Sequence, residues 1–168
     1  MKLFWKTVLL TTLLVGINDL LYNYIMQFIK TGKFADKMLY YIAGGGIGLE
    51  TSMQGGFWIG FVGLFFHFFI SFAFTLLVFI VFPILRMQKI NIWLILILGI
   101  LYTPFVDLFM HFIVLPLTRL PAPKPIVIQK ALFGWTVVGI VFGLPIFVSA
   151  YWYYRKKKPV TVSLKNPS

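Results

Sequence analysis

The chain has 168 residues, 60% of them hydrophobic and only 11% charged, with a formal net charge of +11. Soluble domains carry about 25% charged residues, so an ordinary water-soluble globule and a disordered tail are both excluded. The absence of Cys excludes a disulfide scaffold, thiolate metal sites and Cys nucleophiles. The basic residues lie at the ends of long apolar runs rather than on one basic face, so no nucleic-acid partner is expected.

A membrane-spanning helix needs about 20 mostly apolar residues, and four stretches qualify: 7–29, 56–82, 92–115 and 131–154. Together they predict an all-α, four-transmembrane-helix bundle forming a single integral membrane domain over residues 1–168, with the lipid bilayer as its partner. The first span runs between Lys6 and Lys30 and contains Asn18, Asp19 and Asn23. It exceeds the about 7–15 apolar residues of a signal peptide, and no small-x-small cleavage site follows, so it reads as a retained anchor. Residues 33–43 then pattern as a short amphipathic helix, with Phe34, Met38, Tyr41 and Ile42 on one face. Such a helix suits the membrane interface. Gly44-Gly45-Gly46-Ile47-Gly48 follows and reads as a flexible turn or a close-packed segment. It lacks the Lys-Ser/Thr pair of a phosphate loop.

The second span carries no charge and one histidine, His67. The third holds Asp107 and His111, with Pro104 predicting a kink and a freed carbonyl near Ile100. Pro116, Pro121, Pro123 and Pro125 predict a stiff, extended loop. The fourth span contains Pro145 and stops at Arg155-Lys156-Lys157-Lys158, which opens a basic tail over 155–168. Trp5, Trp58, Trp93, Trp135 and Trp152 each lie within a few residues of a span end, where a wet indole N–H is favoured.

An even number of spans puts both ends of the chain on one side. That side carries nine Lys and Arg residues against six on the other, so the positive-inside rule places both termini in the cytoplasm.

Each span has one small or polar face. Thr12, Gly16, Asp19, Asn23 and Gln27 form it in the first. Gly56, Gly60, Gly63, His67, Ser71 and Thr75 form it in the second, and Gly139 and Gly143 give the fourth a GxxxG pair. Gly99, Thr103, Asp107 and His111 make a looser stripe on the third. The glycines read as helix-packing positions. The ionisable residues demand more, because an Asp at a helix centre costs about 2.5–3.5 kcal/mol on insertion scales. At about 1.5 Å per residue, Asp19, His67 and Asp107 lie about 12–16 Å from the loop end of their spans, and His111 about 6 Å. The first three can therefore meet at one level, with Asn23 and His111 completing an intramembrane polar cluster.

The sequence His67-Phe68-Phe69-Ile70-Ser71, the run Phe109-Met110-His111-Phe112-Ile113 leading into Leu115-Pro116-Leu117, the Ile42-Ala43-Gly44 segment and Gly55-Gly56 carry a resemblance. Over roughly residues 5 to 150 the chain resembles the YagU-like group of small bacterial inner-membrane proteins. The resemblance implies a four-span protein of the bacterial inner membrane and supplies no reaction. His67 and His111 match the group's pattern, whereas Asp107 is not carried over.

Three functional classes compete. A structural or stress-related accessory protein would use the polar core as interhelical glue, and is the leading expectation because such bonds are ordinary. A proton- or cation-coupled transport protein would use Asp19 as the ionisable carrier and His67 and Asp107 as relay partners. Wide pores would then call for a homo-oligomer. A membrane metalloprotein would draw on His67, Asp107 and His111, but the Glu-x-x-His pairs of di-iron bundles are missing. No cofactor and no catalytic residue is expected, and the GxSxG of a serine hydrolase is missing.

Overall fold

A computed structural model describes residues 1–35 and 37–156. Asp36 and the expected basic tail from Lys157 onward lie outside the described residues. All regular structure within them is helical. In chain order these are α1 (Lys2–Thr31), α2 (Met38–Ile47), α3 (Leu49–Gln54), α4 (Trp58–Ile84), α5 (Ile92–Phe109), α6 (Ile128–Val138) and α7 (Leu144–Lys156). A π-helical turn at Met110–Val114 and a 3-10 turn at Leu115–Leu117 prolong α5, and a second π turn at Gly139–Gly143 joins α6 to α7. Four helical units, Lys2–Thr31, Trp58–Ile84, Ile92–Leu117 and Ala131–Lys156, are long and apolar enough to cross a membrane.

Prolines explain both irregular turns. Proline has no N–H for the carbonyl four residues back, and its ring crowds that carbonyl. Pro116 follows the first π turn and Pro145 the second. The carbonyl that Pro145 cannot serve is that of Val141, and the Asn18 amide of α1 donates to it at 3.2 Å. Pro83 in α4 likewise cannot serve Phe79, whose carbonyl accepts from the Tyr154 hydroxyl of α7 at 2.7 Å. Within a bilayer a freed carbonyl has no water to turn to, so side chains from neighbouring helices take over.

The short helix expected between the first two spans is present with shifted bounds, starting at Met38 and running through Gly44–Gly46. Glycine is a poor helix former, but these positions buy close approach. A Cβ on Gly46 would stand 2.6 Å from the Phe66 ring, and one on Gly44 would stand 2.9 Å from the Ser52 hydroxyl. Gly48 at φ +94° then turns the chain into α3, a backbone conformation that L side chains rarely adopt. α2 docks along α4, with the Leu39 carbonyl filling the space of a Gly63 side chain.

Of the expected packing glycines, Gly63, Gly139 and Gly143 hold tight crossings. Gly143 faces the Gly99 carbonyl, and a Cβ on Gly139 would meet Ile100 at 3.0 Å. Gly60 has an ordinary contact with Tyr40 at 3.9 Å. Gly56 packs against nothing within 4 Å, because it precedes α4 instead of lying on its face. That expectation is corrected.

The core is one-sided. Val8, Phe79, Phe82, Ile95, Ile146 and Tyr151 are fully or almost fully buried, and all lie in the half of the bundle that holds the chain ends. Phe4 sits edge-on to both Phe79 and Tyr153 there, and the Phe82 and Tyr154 rings stack at 5.9 Å. Lipid tails are as apolar as these rings, so close packing rather than escape from water holds this half together. The half away from the chain ends, here the distal half, is built differently.

Candidate functional site

In the distal half the four spanning units separate around a cavity of about 680 Å³. α1 contributes Asp19, Tyr22 and Asn23 to its wall, and α4 contributes Phe66, His67, Ser71 and Phe74. α5 presents Thr103 and Asp107, while the fourth unit adds Gly134, Trp135 and Phe142. Tyr41, Gly45 and Gly46 of α2 and Thr118 after the third unit complete it. The Arg119 backbone N–H donates to the Gly45 carbonyl at 3.1 Å, clasping the two distal connections together beside the cavity. A neighbouring hollow shares Asn23 and Tyr41 with it and reaches Lys37 and Phe34.

The polar groups are held in distinct ways. His67 Nε2 lies 2.9 Å from the Gly16 carbonyl. A carbonyl can only accept, so this nitrogen carries the hydrogen and Nδ1 is left for other use. The Ser71 hydroxyl donates to the His67 carbonyl at 2.9 Å, one turn along α4. Asp107 Oδ2 accepts from the Trp135 indole N–H at 2.8 Å, joining the third and fourth units. Asn23 donates to the Asp19 backbone carbonyl at 2.8 Å, and its amide also reaches the Asp19 carboxylate. That carboxylate feels His67 across the α1–α4 interface but forms no hydrogen bond to another helix among the described residues.

Asp19, Asn23, His67 and Asp107 thus line one cavity, whereas His111 does not. His111 is half-buried in the first π turn, edge-on to Phe112 with ring centroids 4.8 Å apart. The alternative metal set of His67, Asp107 and His111 is not assembled, and no group of three His, Asp or Glu side chains that could hold a metal ion occurs among the described residues. His111 lies in the π turn toward the loop end of the third unit and off the cavity wall that holds the other two. The indole of Trp135 also departs from the expected boundary role: it is half-buried and its N–H is spent on Asp107. Tyr22, Tyr41 and Thr118 are further lining residues without a motif of their own.

No protein-family model matches the chain, and no curated protein and no solved structure is matched by it. The class of protein is therefore set by its architecture alone: an all-α bundle with four membrane-length helices and a polar-lined cavity in one half.

Proposed function

We propose that this is a multi-pass protein of the bacterial inner membrane, with both termini cytoplasmic, that binds and carries a small, largely apolar molecule in its periplasmic half. The observation that carries this reading is the Asp19 carboxylate, which lines a 680 Å³ cavity without an interhelical hydrogen-bond partner among the described residues. Cavities of about 300–1,000 Å³ with apolar walls and a few polar groups are the usual form of small-molecule sites. The accessory-protein reading accounts for His67, Asn18 and Asp107, whose bonds to other helices are interhelical glue. It gives Asp19 no hydrogen bond to another helix among the described residues. A carboxylate at that depth costs enough to call for one.

The cavity lies within a single chain, so binding needs no second copy. The packed half beyond it closes the path toward the chain ends, and carriage across the membrane requires that half to open. Asp19 serves as the ionisable carrier, with His67 beside it.

Asp19→Asn tests this, because it keeps the shape and a hydrogen-bonding group while removing the charge. Proteoliposomes holding a pH-sensitive dye are given a panel of neutral, cationic and anionic aromatic compounds. The wild-type protein moves protons in response to at least one of them. Asp19→Asn loses that flux by at least about tenfold, a change of about 1.4 kcal/mol or more, with yield and melting temperature near normal. Flux unchanged by Asp19→Asn would return the protein to the accessory class.

A further inference from the structure

We infer that the cavity is a site for a lipophilic organic cation, bound with its charge between the Asp19 and Asp107 walls and its apolar body against the aromatic lining. This rests on the binding role proposed above and specifies its ligand.

Charge sorting is the first ground. The chain has fifteen Lys and Arg residues and four acidic ones. Two of those four acids line the cavity, and no described Lys or Arg side chain does. A strongly basic protein has placed a negative pocket in its membrane domain. Asp107 receives the Trp135 N–H, but a neutral donor leaves the carboxylate's charge in place. Among the described side chains His67 is the one basic group on the wall, and its Nε2 hydrogen goes to the Gly16 carbonyl of α1. Asp107 is exposed while Asp19 is half-buried; removing a carboxylate such as Asp19 from water is costly, and a bound cation offsets that cost.

The wall chemistry is the second ground. Tyr22, Tyr41, Phe66, Phe74, Trp135 and Phe142 put six aromatic rings around the space. Ring faces attract cations, most strongly where water is excluded. A bare metal ion would leave most of 680 Å³ empty and finds no three-ligand cluster among the described residues. An organic cation fills the volume and meets both the rings and the carboxylates.

A third observation concerns Thr103. It is 4% exposed, lines the same cavity, and its hydroxyl has no hydrogen-bond partner among the described residues. A buried hydroxyl without a partner is costly, and this one lies at the crossing with Gly143, whose Cβ position would be 3.2 Å from the Thr103 oxygen. Lys37 lines the neighbouring hollow and not this cavity.

The test uses the full chain in detergent with radiolabelled tetraphenylphosphonium, and with triphenylphosphine oxide and tetraphenylborate as neutral and anionic counterparts of similar shape. Quenching of Trp135, in a variant whose other four Trp residues are Phe, reports occupancy directly. Saturable binding of the cation, with at least about tenfold weaker binding of the two counterparts, is the expected result. Asp19→Asn and Asp107→Asn each weaken the cation by at least about threefold, and the double variant binds all three compounds alike. Preferential binding of the neutral or anionic compound, or cation binding unchanged in the double variant, overturns the cation assignment and leaves the binding role standing. Failure of all three to bind saturably, with the melting temperature of a folded protein, overturns both.

Discussion

A hydroxyl sealed inside a bundle costs free energy when nothing accepts its hydrogen, by about 1–3 kcal/mol. Thr75 is fully buried and its hydroxyl lacks a hydrogen-bond partner among the described residues. Unlike Thr103 it does not line the cavity. Thr75→Val, which keeps the branched shape, should therefore leave the melting temperature unchanged or raise it; a fall of several degrees in a thermal unfolding scan would show that the hydroxyl has a partner. At this scale the sequence was informative where a residue type is expensive. Asp19, His67 and Asp107 stood out because charge and imidazole are rare inside spans, and they do line one space. Trp135 was opaque for the opposite reason: an indole near a span end has an inexpensive default at the interface, and nothing in the chain signals that Asp107, 28 residues away, takes its N–H.

Among the elements, the bonds that repair proline breaks separate local from long-range design. Phe79 loses its intrahelical donor to Pro83 and recovers one from Tyr154. In Tyr154→Phe the ring remains stacked on Phe82 while the donor is gone, so stability should fall by about 1 kcal/mol, within the range for interhelical bonds in membranes. In a Pro83→Ala background the restored N–H of residue 83 serves the same carbonyl, and Tyr154→Phe should then cost almost nothing. A double-mutant cycle read by unfolding in mixed micelles measures the coupling; equal losses in both backgrounds would remove the proposed division of labour. The four spans were legible because each is a long apolar run with charged ends. The π turns were not, since they depend on which carbonyl a distant side chain can reach. The glycine run of α2 was half legible: close packing was one of two readings open to it, and only the rings and backbone opposite decide between them.

For the molecule as a whole, one half is filled by interlocked aromatic rings and the other surrounds open space. Local opening draws on the half with fewer buried contacts. In lipid nanodiscs, amide exchange should be slowest over 92–102 and 144–151 and fastest over 38–48 and 115–127, by at least about tenfold. Uniform protection along α5 and its continuation would show that the cavity half is as rigid as the packed half. Occupancy by a ligand should narrow the difference, since anything that binds the native cavity stabilises it.

The repaired carbonyls also bear on how the chain is made. Tyr154 lies 75 residues after the carbonyl it serves, and Val141 lies 123 residues after Asn18. At about 5–20 residues per second, ribosomal synthesis leaves the Phe79 carbonyl waiting about 4–15 s for its partner, and Asn18 about 6–25 s. Through that interval a nascent chain with three inserted helices displays an open acceptor and an idle amide to the lipid. The arrival of the last helix closes both at once. A truncated product lacking that helix would keep them open, which gives membrane proteases a physical mark by which an incomplete chain differs from a finished one.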